Sequence, residues 1–160
     1  GRRQEGEVDR MTRSLLRCEQ GNSFIEMAFA APLLASLLIG MVDLSRAVST
    51  KLQMVQVAQR TIERVQRNGF EPDHAETLET EAETAAGGGA TATVSAWLEC
   101  GSSTTKLGYT DSCASGQAYA RFVGISVSTN FEPVFGTDIF PGANADGTFT
   151  LAGTAGVRTQ

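Results

Sequence analysis

The sequence is poor in the residues that most catalytic and metal sites require. It has a single histidine, His74, in an acidic run, and three cysteines at spacings that fit neither a zinc site nor a redox motif. It shows no nucleophile paired with a base, no cluster of metal ligands and no phosphate-binding loop. These absences predict a protein that is not an enzyme and that uses no cofactor and no metal.

The chain also has no surplus of basic charge. Thirteen Lys and Arg residues stand against eighteen Asp and Glu residues, which gives a formal net charge of −5 at pH 7. A nucleic-acid partner would require a clustered basic face. We therefore expect no nucleic acid among the partners.

What the chain does have is one long apolar run. Residues 27–42 are apolar apart from Ser36, and Glu26 stands just inside the amino end of the run. A hydrocarbon core about 30 Å thick needs roughly 17–25 helical residues, so the run is long enough only if Glu26 is carried into it. A carboxylate at membrane depth costs at least about 2.5–3.5 kcal/mol. Glu26 thus either reaches water near the interface or has a functional reason to be buried.

Charge around the run predicts its orientation. Basic residues beside the first membrane helix favour a cytoplasmic amino terminus, and five arginines precede the run: Arg2, Arg3, Arg10, Arg13 and Arg17. We expect a single-pass protein of the bacterial inner membrane that spans the lipid over about 24–43 and exports the rest to the periplasm. Residues 41–46 lack the small-x-small site of a cleaved secretory signal. If Met11 is the natural start, residues 11–21 form a short basic leader.

The helix is expected to continue beyond the membrane, over residues 22–69, with Gly69 as its cap. Pro32 lies in its first third and is expected to kink it or to free a carbonyl group. Past the membrane, apolar residues recur at spacings of three and four and predict a stripe that packs on the rest of the chain. These residues are Leu44, Val48, Leu52, Val55, Ala58, Ile62 and Val65.

Residues 70–160 are expected to form one exported α+β domain. It begins with a short helix over about 74–86, capped by Asp73 with Glu76, whose glutamates form a solvated face. Alternation with a period of two then predicts strands over about 91–100, 117–130 and 148–158. Glycines in the last strand suggest a close backbone approach.

Cys100 and Cys113 lie together in the exported part, where an oxidising compartment would let them pair. A disulfide across this loop contributes on the order of 3 kcal/mol; two free thiols are the alternative. Cys18 precedes the apolar run and would stay unpaired.

Two features of the loop before the last strand stay open. Residues 131–142 are strongly apolar, so they either tuck under the sheet or form a contact surface. Asn144, Asp146 and Gly147 faintly resemble a calcium loop, but a hairpin-type turn at Asp146 and Gly147 explains them better.

The segment from Gly21 onward resembles a known family. A glycine, then a glutamate five positions later, then an apolar helix is the pattern that type IV prepilin peptidases recognise. The segment GNSFIEMAFAAPLLASLLIGMVDLSRAVSTKLQMVQVAQRTIE is similar to the TadE-like pseudopilins of tight-adherence (Flp) pilus systems, over about residues 17–64. The positions that carry the resemblance are Gly21, Glu26, Phe29, Pro32, Gly40, Asp43 and Arg46.

The resemblance implies a type IV pilin-like α+β fold, with a long amino-terminal helix on a small antiparallel sheet. It implies cleavage between Gly21 and Asn22 by a prepilin peptidase and a role as a minor pilin. Other pilin or pseudopilin subunits, the pilus assembly machinery and membrane lipid would be its partners. Glu26 would pair with the new α-ammonium group of Asn22, which stands where other type IV pilins have a methylated aromatic residue. Small residues would allow close helix packing, with Pro32 among them: Ala28, Ala31, Pro32, Ala35 and Gly40.

Two other interpretations stay open. An uncleaved, membrane-anchored extracytoplasmic binding or sensor domain would make the combination of Gly21 and Glu26 a coincidence. A membrane-tethered enzyme is the third, and the missing catalytic residues count against it. The mass of the mature protein separates the cleaved from the uncleaved forms.

Overall fold

The structure, a computed structural model, describes residues 20–134 and 142–159, with side chains from residue 24 onward. The chain divides into two compact units, Gly1–Val42 and Asp43–Gln160. The predicted leader, residues 1–21, falls outside the described residues except for the backbone of its last two.

The longest element is the helix α1, Gln20–Asn68, which contains Pro32. Ala, Leu, Met and Gln fill much of it, and these residues have high helix propensity. The helix ends at Gly69, which has a φ of +81° and donates its N–H to the carbonyl of Val65 at 2.9 Å. Glycine adopts this left-handed conformation without a steric penalty, as the predicted cap requires.

A short 3-10 turn, Pro72–His74, leads into the helix α2, Ala75–Ala86. The predicted cap by Asp73 is wrong. Asp73 lies inside the 3-10 turn, His74 takes the capping position, and no side-chain hydrogen bond caps the helix. Pro72 sets the turn instead, because its ring fixes φ near the helical value.

Four strands form one antiparallel sheet in the order β2-β1-β3-β4. The two-residue β2 was not predicted, because its sequence lies in a polar, turn-rich segment. The strands are β1 (Thr91–Cys100), β2 (Leu107–Gly108), β3 (Tyr119–Phe131) and β4 (Phe149–Arg158).

The hydrophobic core lies between the sheet, α2 and the second half of α1. The predicted α+β architecture, a long amino-terminal helix packed on a small antiparallel sheet, is confirmed. The buried core residues are Met54, Val57, Ala58, Ile62 and Val65 of α1, Leu78, Ala82 and Ala86 of α2, Ala92 of β1, and Val123, Ile125 and Val127 of β3.

Gly153 of β4 brings the sheet against the backbone of α1. A Cβ atom at this position would lie 2.2 Å from the nitrogen of Val55 and 2.4 Å from the carbonyl carbon of Met54. Such distances cannot be relieved by moving a side chain, because both atoms belong to the backbone. The close approach expected from the glycines of this strand is therefore present at Gly153.

The predicted apolar stripe of α1 is only partly buried. Ala58, Ile62 and Val65 lie in the core, but Leu44, Val48 and Leu52 are 67%, 49% and 54% exposed. The face that meets the sheet carries Met54 and Val57 instead. Both faces of this part of the helix carry apolar residues at helical spacing, so periodicity alone could not choose between them.

The acidic face of α2 is not simply solvated. Oε1 of Glu83 accepts the N–H of Ala92 at 2.9 Å, and Oε1 of Glu79 accepts the N–H of Val94 at 2.6 Å. These N–H groups point away from β3, along the edge of β1 that β2 is too short to cover. Unpaired strand edges invite pairing with other chains, so the two carboxylates protect this edge.

Candidate functional site

The first part of α1 exposes an apolar surface of unusual extent. It includes Phe24 and Phe29, which are 83% and 77% exposed. Soluble proteins rarely expose contiguous apolar patches this large, and such patches mark membrane or protein contacts. By length and composition, the helix could cross a membrane. The other large exposed apolar residues of this part are Ile25, Met27, Leu33, Leu34, Leu37, Leu38, Ile39, Met41 and Val42.

The predicted processing residues lie at the start of this helix. Gly21 and Asn22 are in the first turn of α1, where only their backbone is described, so the bond between them is helical. The N–H groups of a first helical turn have no partner inside the helix. Local unwinding at Gly21 therefore breaks few hydrogen bonds.

Glu26 and four of the five predicted packing residues, Gly40 being the exception, occupy opposite faces of α1. Ala28, Ala31, Pro32 and Ala35 follow the spacing i, i+3, i+4, i+7, which places them on one side of the helix. At 100° per residue, Glu26 projects from the other side. Glu26 and all of these packing residues are exposed.

Two further predicted packing features concern the helix backbone. Among the described residues, nothing outside the local helix lies within 4 Å of where a Cβ of residue 40 would stand, so Gly40 leaves open space beside the helix. Pro32 has no N–H to donate to the carbonyl of Ala28, although α1 is assigned as one helix through this point.

Asp43 anchors the segment that follows β3 to α1. The residue is 9% exposed, its Oδ1 accepts the backbone N–H of Val134 at 3.0 Å, and Nη1 of Arg46 lies 3.6 Å from the same oxygen. The guanidinium of Arg46 also stands 5.5 Å from the centre of the Phe131 ring. We call Asp43, Arg46, Phe131 and Val134 the Asp43 cluster. The resemblance singled out Asp43 and Arg46, but no sequence pattern indicated the residues that they contact.

The disulfide forms at the far end of β1. Cys100 and Cys113 are joined, with their Cα atoms 5.6 Å apart. Arg121 of β3 holds the loop that they close, because its Nε donates to the carbonyl of Tyr109 at 2.9 Å. The Tyr109 ring packs edge-on against Phe70, just beyond α1. The loop is thus fixed both covalently and by contacts to the core.

Asp146 stabilises the turn that precedes β4. Its carboxylate accepts the hydroxyl of Thr148 at 2.8 Å and the N–H of Thr148 at 3.1 Å. These two bonds, the hydroxyl first, lower the pKa of Asp146 below its ordinary 3.8. Gly147 follows with a φ of +79°, as a turn at Asp146 and Gly147 predicts. The Asp146 carboxylate is thus already engaged by Thr148.

A shallow, open cavity of about 400 Å³ lies at the end of α1. Arg64 and Glu81 form an ion pair in its wall, and Asn68, Glu71 and His74 line it with them. Among the described residues, no three His, Cys, Asp or Glu side chains are grouped to hold a metal ion.

Comparison with known proteins adds one finding. Residues 21–62 match the family model described as TadE-like protein. No curated protein and no solved structure matches the chain. The matched segment starts at Gly21 and includes Glu26, Pro32, Asp43 and Arg46. The resemblance expected from these residues is therefore confirmed, and residues 21–62 are TadE-like in sequence.

Proposed function

We propose that this protein is a TadE-like minor pilin, or pseudopilin, that acts in the assembly of tight-adherence (Flp) type IV pili for surface adhesion. A prepilin peptidase cleaves it after Gly21. One observation carries the proposal: the TadE-like match, residues 21–62, contains the apolar segment whose side chains are exposed. The role is structural, and the partners are the peptidase, other pilin subunits and the assembly machinery.

The chain then has three parts with different locations. Residues 1–21 are a basic cytoplasmic leader. Residues 22–69 are the long helix, which crosses the inner membrane in its first half. Residues 70–160 belong to the exported domain, where the disulfide meets an oxidising compartment.

Cleavage after Gly21 is chemically reasonable at this position. A peptidase must reach an extended backbone, and glycine presents no side chain to obstruct it. The first turn of a helix also unwinds at low cost, because its N–H groups have no helical partners.

Glu26 would act after cleavage. The new α-ammonium group of Asn22 and the Glu26 carboxylate are four residues apart, which places them on the same side of the helix. Pairing with this ammonium, or with that of a neighbouring subunit, reduces the cost of holding either charge in an apolar environment.

Assembly then moves the apolar segment from lipid into a bundle of helices. The face with Ala28, Ala31 and Ala35 lets a second backbone approach closely, as small residues do in membrane helix pairs. Dispersion contacts and electrostatic pairing drive this step, since lipid tails are as apolar as the helix itself.

Co-expression with the peptidase of the same pilus system tests the processing step. Intact mass spectrometry should show a product that begins at Asn22 with active peptidase, and the unprocessed chain with a catalytically inactive one. Gly21→Leu should prevent cleavage. Gly40→Leu is the matched control, because the same change enters open space and should leave cleavage unchanged.

Failure of the active peptidase to shorten the chain would contradict the proposal. It would favour the uncleaved anchor that carries a binding or sensor domain. Cleavage that Gly21→Leu does not prevent would place the processing site elsewhere and remove the role given to Gly21.

A further inference from the structure

The Asp43 cluster joins the exported domain to the point where the apolar run ends. Asp43 is the next residue after Val42, the last apolar residue of the run. Its carboxylate holds the N–H of Val134 at 3.0 Å. The turn Phe131–Val134 therefore lies within a few ångström of the residue at which α1 would leave the hydrocarbon.

The chemistry of this turn suits a membrane surface. Val134 is 66% exposed, and Leu44, which follows Asp43 in the chain, is 67% exposed. The Arg46 side chain is about half exposed, and its guanidinium lies 3.6 Å from the Asp43 carboxylate that accepts the Val134 N–H. Apolar side chains that enter the boundary between headgroups and acyl chains, next to an arginine that meets lipid phosphates, are typical of interfacial contacts.

We propose that the turn Phe131–Val134 is a second membrane contact, which rests on the headgroup layer of the bilayer that α1 crosses. This inference rests on the proposed function, in which the first half of α1 spans the membrane. The occupant is lipid, because the turn is held at the end of the apolar run and pairs exposed apolar groups with a cation. Glu132 is exposed in the same turn, so the contact stays at headgroup depth.

Asp43 is the positioning residue of this contact. Its nearly buried carboxylate satisfies the Val134 N–H and lies beside Arg46, which covers the Phe131 ring. One acid therefore fixes the turn. We expect its loss to release the turn from the membrane surface without disturbing the span.

Lipid quenching of a single fluorescent label on the full chain tests this. The background is Cys18→Ser, with the Cys100–Cys113 disulfide intact, in vesicles of phosphatidylethanolamine and phosphatidylglycerol. The quencher is a lipid nitroxide that lies just below the headgroups. It should quench a label at Val134→Cys about twofold or more strongly than a label at Gln66→Cys. Gln66 is exposed on the same helix, about 35 Å further from the membrane end.

Two variants test the role of Asp43. Asp43→Ala removes the acceptor, so quenching at position 134 should fall towards the level at position 66. Asp43→Asn keeps an oxygen that can accept the Val134 N–H, so it should retain most of the quenching. Equal quenching in both variants would contradict the positioning role.

A third label separates this inference from the proposed function. Leu38→Cys lies inside the expected span and should be strongly quenched by a nitroxide deep in the bilayer. Quenching at position 38 but not at position 134 would overturn the second contact and leave the span intact. No quenching at either position would overturn both.

Discussion

The two halves of α1 contain similar apolar residues but bury them differently. Between Phe24 and Val42 large apolar side chains are exposed around the helix. Beyond Asp43 one face packs on the sheet, where Met54 is 2% and Ala58 is 0% exposed. The second half finds its apolar partner within the chain. Among the described residues the first half has no such cover, and under the proposed function lipid or other helices supply it.

This difference shows where folding free energy comes from in each half. A buried Leu or Met side chain contributes roughly 1.5–3 kcal/mol. In the second half this stabilises the domain itself. Under the proposed function, the first half makes the same gain when it leaves water for the membrane, and its later transfer into a helix bundle depends on packing and charge pairing instead.

Gly153→Ala should strongly lower the stability of the domain that the second half of α1 belongs to, because it disrupts the contact between the sheet and the helix. Its methyl group would meet the backbone of Met54 and Val55. Overpacking costs typically about 1–3 kcal/mol, and we expect the upper end or more. Chemical unfolding of the full chain in detergent, followed by near-ultraviolet circular dichroism, measures the loss.

Gly156→Ala is the control in the same strand. A Cβ there would lie 3.4 Å from the carbonyl oxygen of Val123, which is close to an ordinary contact. Its stability should change by less than about 1 kcal/mol. Equal stability of Gly153→Ala and Gly156→Ala would show that β4 does not pack closely against α1 at Gly153.

Met54→Ala tests which face of the second half is buried. It should lower the free energy of unfolding by about 2–5 kcal/mol, as truncation of a core methionine does. Leu52→Ala removes a similar volume from the exposed side and should cost less than about 1 kcal/mol. A larger loss of stability for Leu52→Ala than for Met54→Ala would support the stripe that periodicity predicted. It would contradict the burial of Met54.

Removal of Glu79 and Glu83 tests how the domain protects its sheet edge. The double change to Ala leaves the N–H groups of Ala92 and Val94 without these acceptors and should cost about 2 kcal/mol. It should also promote association through β1, which sedimentation velocity would detect. The double change to Gln keeps an acceptor at each position and should cost less. Equal behaviour of the Ala and Gln pairs would rule out edge protection.

The smallest effect is expected at Asp146, which lies far along the chain from both halves of α1. Its pKa is lowered in the folded state, so its contribution to stability is present above about pH 4 and is lost as the pH falls through the folded value. Asp146→Asn should lower stability slightly at neutral pH, because the ionised acceptor is lost, and should remove that part of the pH dependence. An NMR titration should give a midpoint below 3.8; a higher midpoint would contradict the turn geometry.

Much of this fold follows from local patterns in the sequence. The period of two gave the three long strands, and Gly69 supplied the end of α1. These features depend on neighbours in the chain, which a sequence displays directly. The segment that carries the candidate site was recognisable for the same reason, since Gly21 and Glu26 are five positions apart.

The features that were missed depend on distant parts of the chain. In sequence Glu79 resembles a solvated residue, and only its contact with β1 shows its role. Met54 likewise belongs to the core only because the sheet packs on it. The bond between Asp43 and Val134 joins residues 91 positions apart. No local periodicity in the sequence indicates such contacts, because they form only when the strands pack on α1.

The most direct test of the account is the amino-terminal residue of the protein isolated from the envelope of its native host. Intact mass with terminal sequencing identifies it without a reporter or a substitution. The account predicts a mature chain that begins at Asn22. A mature chain that still carries Gly21 and the residues before it would contradict the account and favour a permanent anchor.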